Sequence, residues 1–396
     1  MFLNNTKTSI RQIACGIDIG AHAIKLVALE QCEAEIVFRH VAHSATPTDT
    51  VQDEVIVKPR VLADLIRKMV RESRLPIQAA SVAIPVEHAT LKWINLPRMS
   101  RIDMRAAASF EAAKFLPSAV ENAEIGIVAA DNGYDDSGKM STLLVAAPRD
   151  AARTRAQTLE MAGLSVVGGE LEWFALLRAL RETEGAPNVL WRGQSIAYVQ
   201  LGHRVSSLCI LQDTDIRFVR SIAWGGERLT QALAEQTGCD VMVAQQMKER
   251  TDSAIDESGV FHWQEGGNAQ SSDALAQELD RLRREIQRLL NYYRSLFPEG
   301  SYEGILDKVV LCGGAAGLYG LADYFTRVLR MEISIQNPLH IVGVKGLPTE
   351  QRTDLSHAHS MSVAIGSALG ELEELKATGG KAQHGPTEFV WRRKAA

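Results

Sequence analysis

Ile13-Ala14-Cys15-Gly16-Ile17-Asp18-Ile19-Gly20 reads as an apolar strand running into a glycine turn, and Ala23-Ile24-Lys25-Leu26-Val27-Ala28-Leu29 follows as a second apolar strand. The spacing is that of a β-hairpin. The pattern restarts far downstream. Ile196 to Leu201, Ser207 to Gln212 and Ile216 to Ile222 read as three consecutive strands, and Tyr198-Val199-Gln200-Leu201-Gly202-His203 ends the first of them in a glycine turn. A hairpin start that occurs once in each half argues for two related lobes facing each other.

Glycine lets backbone N–H groups approach an anion closely, and consecutive N–H groups form a phosphate-sized concavity. Asp18, just ahead of the first turn, is placed to hold Mg2+ through waters. Taken alone, either motif is read by default as a plain tight turn. A third turn lies in Val309-Val310-Leu311-Cys312-Gly313-Gly314-Ala315-Ala316-Gly317-Leu318. It would let the flat face of a base or ribose rest on the backbone, although a close strand-to-helix crossing needs the same residues. Three such turns in this order are more specific than any one of them.

Between the turns the chain alternates strands and helices. Glu35 to His43 supplies a third strand, and Val61 to Arg71 has its apolar residues at helical spacing. Ser81 to Leu164 forms a unit of its own. In it a strand runs through Pro85 to Leu96, and a helix is capped by Ser100 with Asp103 three residues on. Two strands follow (Ile125 to Ala129 and Thr142 to Ala147), then a helix from Arg149 to Ala162. A helix from Glu227 to Thr237 follows Gly225-Gly226. Thr251 to Asp273 is polar and poorly periodic, which predicts a surface loop. Leu275 to Leu296 is a long amphipathic helix.

The bulk properties narrow the function classes. A chain of 396 residues exceeds one ordinary core, and its 46% hydrophobic content suits a packed globular protein. A formal charge of −5 without basic clusters argues against nucleic acid as a partner. Five scattered cysteines without a CxxC pair read as reduced core thiols. The N-terminus has no apolar signal core, and uncharged stretches such as Val309 to Ala322 are shorter than the ~18 residues of a membrane span. A soluble chain is therefore expected, attached to a membrane only through a partner or a surface patch. Phe389-Val390-Trp391-Arg392-Arg393-Lys394 looks like the tip of an interfacial anchor, but a disordered end is the simpler reading. His357 and His359 have no Cys or carboxylate partners at ligand spacing.

Further stretches carry a resemblance: Glu111-Ala112-Ala113-Lys114-Phe115-Leu116-Pro117, Leu143-Leu144-Val145-Ala146-Ala147, Ala162-Gly163-Leu164, Asn337-Pro338, and Ser362-Val363-Ala364-Ile365-Gly366-Ser367-Ala368-Leu369. Together with the three turns, they resemble the actin-like ATPase superfamily and, within it, the PilM family of type IV pilus assembly proteins, from about Ile13 to Leu372. The resemblance implies an α/β, actin-like two-lobed fold of duplicated ribonuclease-H-like lobes. Lobe 1 would comprise 11–84, a return at 165–190 and a C-terminal helix at 355–375, with an inserted small α+β subdomain at 85–164. Lobe 2 would comprise 191–226 and 299–354, with a helical cap at 227–298, and 376–396 would be a flexible tail.

It also implies a site for ATP and Mg2+. Asp18 (the metal), Gly20, Ala21, His22 and Lys25 would come from the first turn, and Gly202, His203 and Arg204 from the second. Gly225, Gly226, Gln245 and Lys248 would come from the cap, and Gly313, Gly314 and Ala315 from the third turn. The implied partner is the cytoplasmic N-terminal tail of a PilN-like inner-membrane protein, alongside other pilus platform proteins. By analogy its groove is expected near Trp93, Asn95, Glu111 and Phe115. Two departures stand out: Gln200 occupies a position where the family usually has Asp, and Gln245 one where it usually has Glu. Losing acidic groups threatens turnover more than binding, so weak nucleotide binding, or none, with little hydrolysis is expected. An FtsA-like division scaffold is the rival within the fold. A small-molecule kinase would need an acidic base near the second turn, which Leu201 to Ile210 lacks.

Overall fold

A computed structural model describes residues 13–32, 35–87, 89–114, 120–134, 138–183, 194–212, 215–299, 301–302, 304–341 and 355–377. Phe115 and the tail tip at 389–394 lie outside them.

The first lobe opens with β1 (Ile13–Ile19), β2 (Ala23–Cys32) and β3 (Glu35–Ala45). The short strands β4 (Val51–Gln52) and β5 (Val55–Ile56), helix α1 (Pro59–Ser73) and β6 (Ala79–Ile84) follow. Then come β7 (Thr90–Pro97), α2 (Arg101–Ala113), β8 (Ala123–Tyr134) and β9 (Lys139–Pro148). The chain returns through α3 (Arg149–Met161), β10 (Ser165–Leu171) and α4 (Glu172–Thr183).

The second lobe has β11 (Ser195–Gln200), β12 (Ser206–Gln212) and β13 (Asp215–Ile222), followed by α5 (Gly226–Thr237) and α6 (Val241–Glu249). Next are β14 (Ala254–Ile255), β15 (Phe261–Glu265), β16 (Asn268–Ser272) and α7 (Ala274–Arg294). The lobe closes with β17 (Lys308–Cys312), α8 (Leu321–Leu329) and β18 (Glu332–Ile335), and α9 (Ser362–Ala377) crosses back to lobe 1.

The two main sheets have one topology. Their strand orders are β10-β6-β1-β2-β3 and β13-β12-β11-β17-β18. In each, three antiparallel strands form a meander, and the first of them pairs in parallel with a later strand that itself carries a parallel edge strand. Alternation along β1 explains how the first sheet is sandwiched. Cys15, Ile17 and Ile19 pack with Leu62, Ile66 and Met69 of α1 on one face. Ala14 packs with Ala364, Ile365 and Ala368 of α9 on the other. Gly16 shares that second face, where a Cβ would overlap the Ala364 carbonyl oxygen. Its glycine therefore serves the seating of α9 on β1.

The inserted unit is a three-stranded sheet in the order β7-β9-β8. One face takes Ala108 and Ala112 of α2. On the other, Val128, Leu143 and Val145 join one cluster with Trp173 and Phe174 of α4 and with Ile196, Tyr198 and Ile216 of lobe 2. Helix α2 is capped as its sequence predicts: the Asp103 N–H donates to Ser100 Oγ at 3.2 Å, and the Ser100 hydroxyl donates to the Asp103 carboxylate at 2.7 Å.

Helix α3 touches both units: Leu159 lies among the residues of α1 and β1, while Ala151 and Ala152 join the cluster of Val128, Leu143 and Val145 in the insert. Two expectations change. The run from Pro85 to Leu96 is not one strand, because β6 ends at Ile84 and β7 starts at Thr90. The segment expected to be a loop between Thr251 and Asp273 forms the sheet β14-β15-β16. There Phe261 and Trp263, two apart on β15, turn inward and stack with ring centroids 5.6 Å apart. Its polar outer face hides the strand period, and only that aromatic pair signals it. By contrast, α7 buries the whole stripe of Leu275, Leu279, Leu282, Ile286, Leu289, Leu290 and Tyr293. Among the described residues, no helix is long and apolar enough to cross a membrane.

Candidate functional site

The carboxyl ends of β1 and β11 point into one cleft of about 610 Å3 between the lobes. Every nucleotide-site candidate named from the sequence lines it except Gly225. Gly225 caps α5 from outside the cleft, and a Cβ there would overlap the His203 carbonyl oxygen.

The three turns are held from behind. Gly20 N–H donates to the Ala23 carbonyl at 3.1 Å, closing the first. In the second, the carbonyls of Gly202 and His203 each accept at 2.9 Å from the N–H groups of Gly226 and Glu227, the first residues of α5. In the third, Gly313 adopts φ of +91°, the left-handed region that favours glycine. Its N–H donates to the His359 carbonyl at 3.0 Å, and the Ala315 N–H reaches the Leu201 carbonyl at 3.1 Å. His359, which the sequence leaves as a loop residue, lines the cleft, and its ring leaves no space for a Cβ on Gly317.

The charged groups divide into two clusters. The first lies on the lobe 1 side. Lys25 Nζ donates to Asp18 Oδ2 at 2.9 Å, with both side chains largely buried. Behind them Arg155, fully buried, donates to Glu54 Oε2 at 3.1 Å and to the Ile19 carbonyl at 3.4 Å. Glu172, the first residue of α4, accepts from the Val86 N–H at 3.1 Å and from Gln200 Nε2 at 3.1 Å. Burial pushes its carboxyl up to about 7, against the pull of those two hydrogen bonds. Gln200 is in turn fixed by the Ser207 hydroxyl, which donates to its Oε1 at 3.1 Å.

The second cluster closes the mouth. The rings of His22 and His203, one from each lobe, lie 4.8 Å apart. His22 Nε2 is 3.5 Å from Glu249 of α6, while His203 and Arg204 face Glu227 of α5 at 3.8 and 3.6 Å. Burial, then repulsion from His22, Lys248 and Arg204, brings His203 down to about 4. Lys248 spends its three protons on the Gly226 carbonyl, Thr230 Oγ1 and Gln245 Oε1, and burial brings it down to about 8. Burial would raise the Glu249 carboxyl, but hydrogen bonds from His22 and Gln245 bring it to about 2.

Arg155, Glu54, Glu172, Glu249 and His359 escape the sequence reading because no glycine turn marks them. Glu170 and Glu172 flank Leu171 at a strand-to-helix junction, and only the fold shows which enters the cleft. Glu170 instead meets Arg178 at 2.8 Å in a buried pair.

Among the groove candidates, Trp93 donates its indole N–H to the Ile216 carbonyl of β13 at 2.8 Å. Its polar end is thus taken by lobe 2. Asn95 is exposed, and Glu111 pairs with Lys114 at 2.5 Å.

A Mg2+ ion favours a near-octahedral oxygen shell, of which the protein usually supplies one or two carboxylates. Here Asp18 is already matched by Lys25, and the position facing it across the cleft is Gln200, whose amide is committed on both sides. With the Asp18 carboxylate already paired and the opposite position an amide, this donor set does not fit Mg2+.

Two sheets of identical topology around an interlobe cleft define the actin-like ATPase fold. Solved structures with that arrangement resemble the chain along most of its length. A PilM-PilN type IV pilus biogenesis complex matches with TM-score 0.74 and 23% identity, covering 91% of this chain and 98% of that one. The ethanolamine utilization protein EutJ from Carboxydothermus hydrogenoformans matches with TM-score 0.51 and 16% identity, covering 90% and 89%. MreB 5 of Spiroplasma citri bound to AMPPNP matches with TM-score 0.51 and 12% identity, covering 93% and 98%. The model of the type IV pilus assembly protein PilM family matches residues 16–372, and the chain belongs to that family.

Proposed function

We propose that this chain is a cytoplasmic scaffold of the type IV pilus inner-membrane platform, peripherally attached by binding the N-terminal tail of a PilN-like membrane protein. The observation that carries this reading is the family match over residues 16–372, which takes in both lobes and the insert. The similar structure that holds PilM together with PilN supports the choice of partner.

The cleft is proposed to take ATP and to use it as a modulator of assembly rather than as a fuel. The glycine turns face it from both lobes, as a ligand that draws lobes together requires. Hydrolysis needs charge stabilisation and an oriented water. Glu172, whose carboxyl burial pushes up to about 7, is held on Gln200 and the Val86 N–H rather than on open space. Slow turnover follows.

The test is co-expression of the full chain with a PilN-like tail fused to a soluble carrier. Co-elution through size exclusion is the expected result. Separate elution of two folded proteins contradicts the reading.

A further inference from the structure

We propose that the cleft takes its nucleoside triphosphate as the metal-free anion, with His22, His203 and Arg204 supplying the counter-charge that a divalent ion supplies elsewhere. The inference rests on the reading of this cleft as a nucleotide site and names the form of the ligand it takes.

Three observations carry it. The first is the donor set. The carboxylate that a metal would use, Asp18, is bound to Lys25 at 2.9 Å, and the position opposite it holds Gln200, neutral and committed to Glu172 and Ser207. Adding a dication there means breaking a largely buried ion pair for one carboxylate, and removing one partner of such a pair is costly.

The second is where the basic groups are. His22 follows the first glycine turn, and His203 with Arg204 follows the second, so all three line the cleft beside the backbone that would cradle phosphates. The two imidazoles face each other at 4.8 Å, and Lys248 stands behind Gly226 as a further positive charge. Burial, with that crowding second, holds His203 neutral. A polyphosphate entering between the rings relieves the repulsion, because an anion favours the protonated form of each neighbouring ring.

The third is the state of the facing carboxylates. Glu249 meets His22 at 3.5 Å, and Glu227 meets His203 and Arg204 at 3.8 and 3.6 Å. These are long, partly exposed pairs from the cap helices, which contribute little and exchange readily for a stronger anion. Phosphate oxygens can therefore displace them, whereas the Lys25–Asp18 pair is shorter, at 2.9 Å, and largely buried.

The experiment is calorimetric titration of the full chain with ATP at matched ionic strength, once with EDTA and once with excess Mg2+. A His203→Gln variant, checked for folding by circular dichroism, is titrated alongside. The expected result is ATP binding in EDTA as tight as in Mg2+ or tighter, and about tenfold weaker in His203→Gln, equivalent to about 1.4 kcal/mol. Loss of tenfold or more in EDTA overturns the metal-free site while leaving the nucleotide reading intact, and unchanged affinity in His203→Gln overturns the counter-charge given to that ring. No ATP binding in either buffer overturns the nucleotide reading, and this inference with it.

Discussion

Gln200 Nε2 of lobe 2 donates to Glu172 Oε2 of lobe 1 across 3.1 Å, so a side-chain hydrogen bond joins the two lobes within the cleft. A carboxylate in place of Gln200 would face Glu172 as a like charge. The bond thus links the family departure at position 200 to the protonation of its neighbour.

Glu172 sets a pH dependence whose sign is definite. Its folded value is raised from 4.5 to about 7. Its stabilising contribution is therefore present below pH 4.5 and is lost as pH rises through 7. Glu172→Gln should raise stability at pH 8 by roughly 1–3 kcal/mol, discounted because the residue is only partly buried, and should change little near pH 4.5. Gln200→Asp should do the reverse, lowering stability more at pH 8 than at pH 6. Urea melts of both variants at two pH values check this.

His203 acts at the acid end. Its folded value is depressed from 6.5 to about 4, so the native state favours the neutral ring and loses stability as pH falls from 6.5 toward 4. His203→Asn should flatten that part of the stability profile. Melting temperatures measured from pH 7 to pH 4 would show it as a smaller decline than in the unaltered chain.

Gly16 tests the packing of the lobes. A Cβ there would overlap the Ala364 carbonyl oxygen, which belongs to helix backbone and cannot rotate away. Gly16→Ala should cost about 2–4 kcal/mol, in the range of overpacking or more. Gly138→Ala, at a φ of +75° but with open space around it, should cost only about 1 kcal/mol. Chemical denaturation of the two variants separates a packing glycine from a conformational one.

Trp93 tests how the insert is held. Trp93→Phe keeps the ring but leaves the Ile216 carbonyl without the indole donor, at a cost of about 1 kcal/mol. Hydrogen exchange should quicken in β7 and β13 and remain unchanged in α7. Uniform exchange changes throughout the chain would contradict a local docking role.

The parts of the fold that were legible in the sequence share one property: their apolar period matches one buried face. Leu275 through Tyr293 is the clearest case, since every residue of the stripe is buried. The duplicated hairpins were legible because β1 and β11 are each followed by a strand that pairs antiparallel with it. β15 was not, because only Phe261 and Trp263 face inward and the rest of the segment is polar. The site divides the same way. Glycine turns announce themselves, whereas Glu172 and Arg155 depend on which neighbour the topology places beside them. Gly16 was legible as a glycine in the first strand but its purpose was not, because α9 arrives from the far end of the chain.

The central claim is a scaffold whose cleft modulates its grip on a membrane protein's tail. Its most direct test is titration of the chain with a synthetic PilN-like N-terminal peptide, with and without saturating ATP. The account predicts saturable binding in both conditions and a shift in affinity of about 5-fold or more between them, the scale of an ordinary coupling between two sites. Equal affinity in both would contradict nucleotide modulation, and the absence of binding by the folded chain would contradict the scaffold itself.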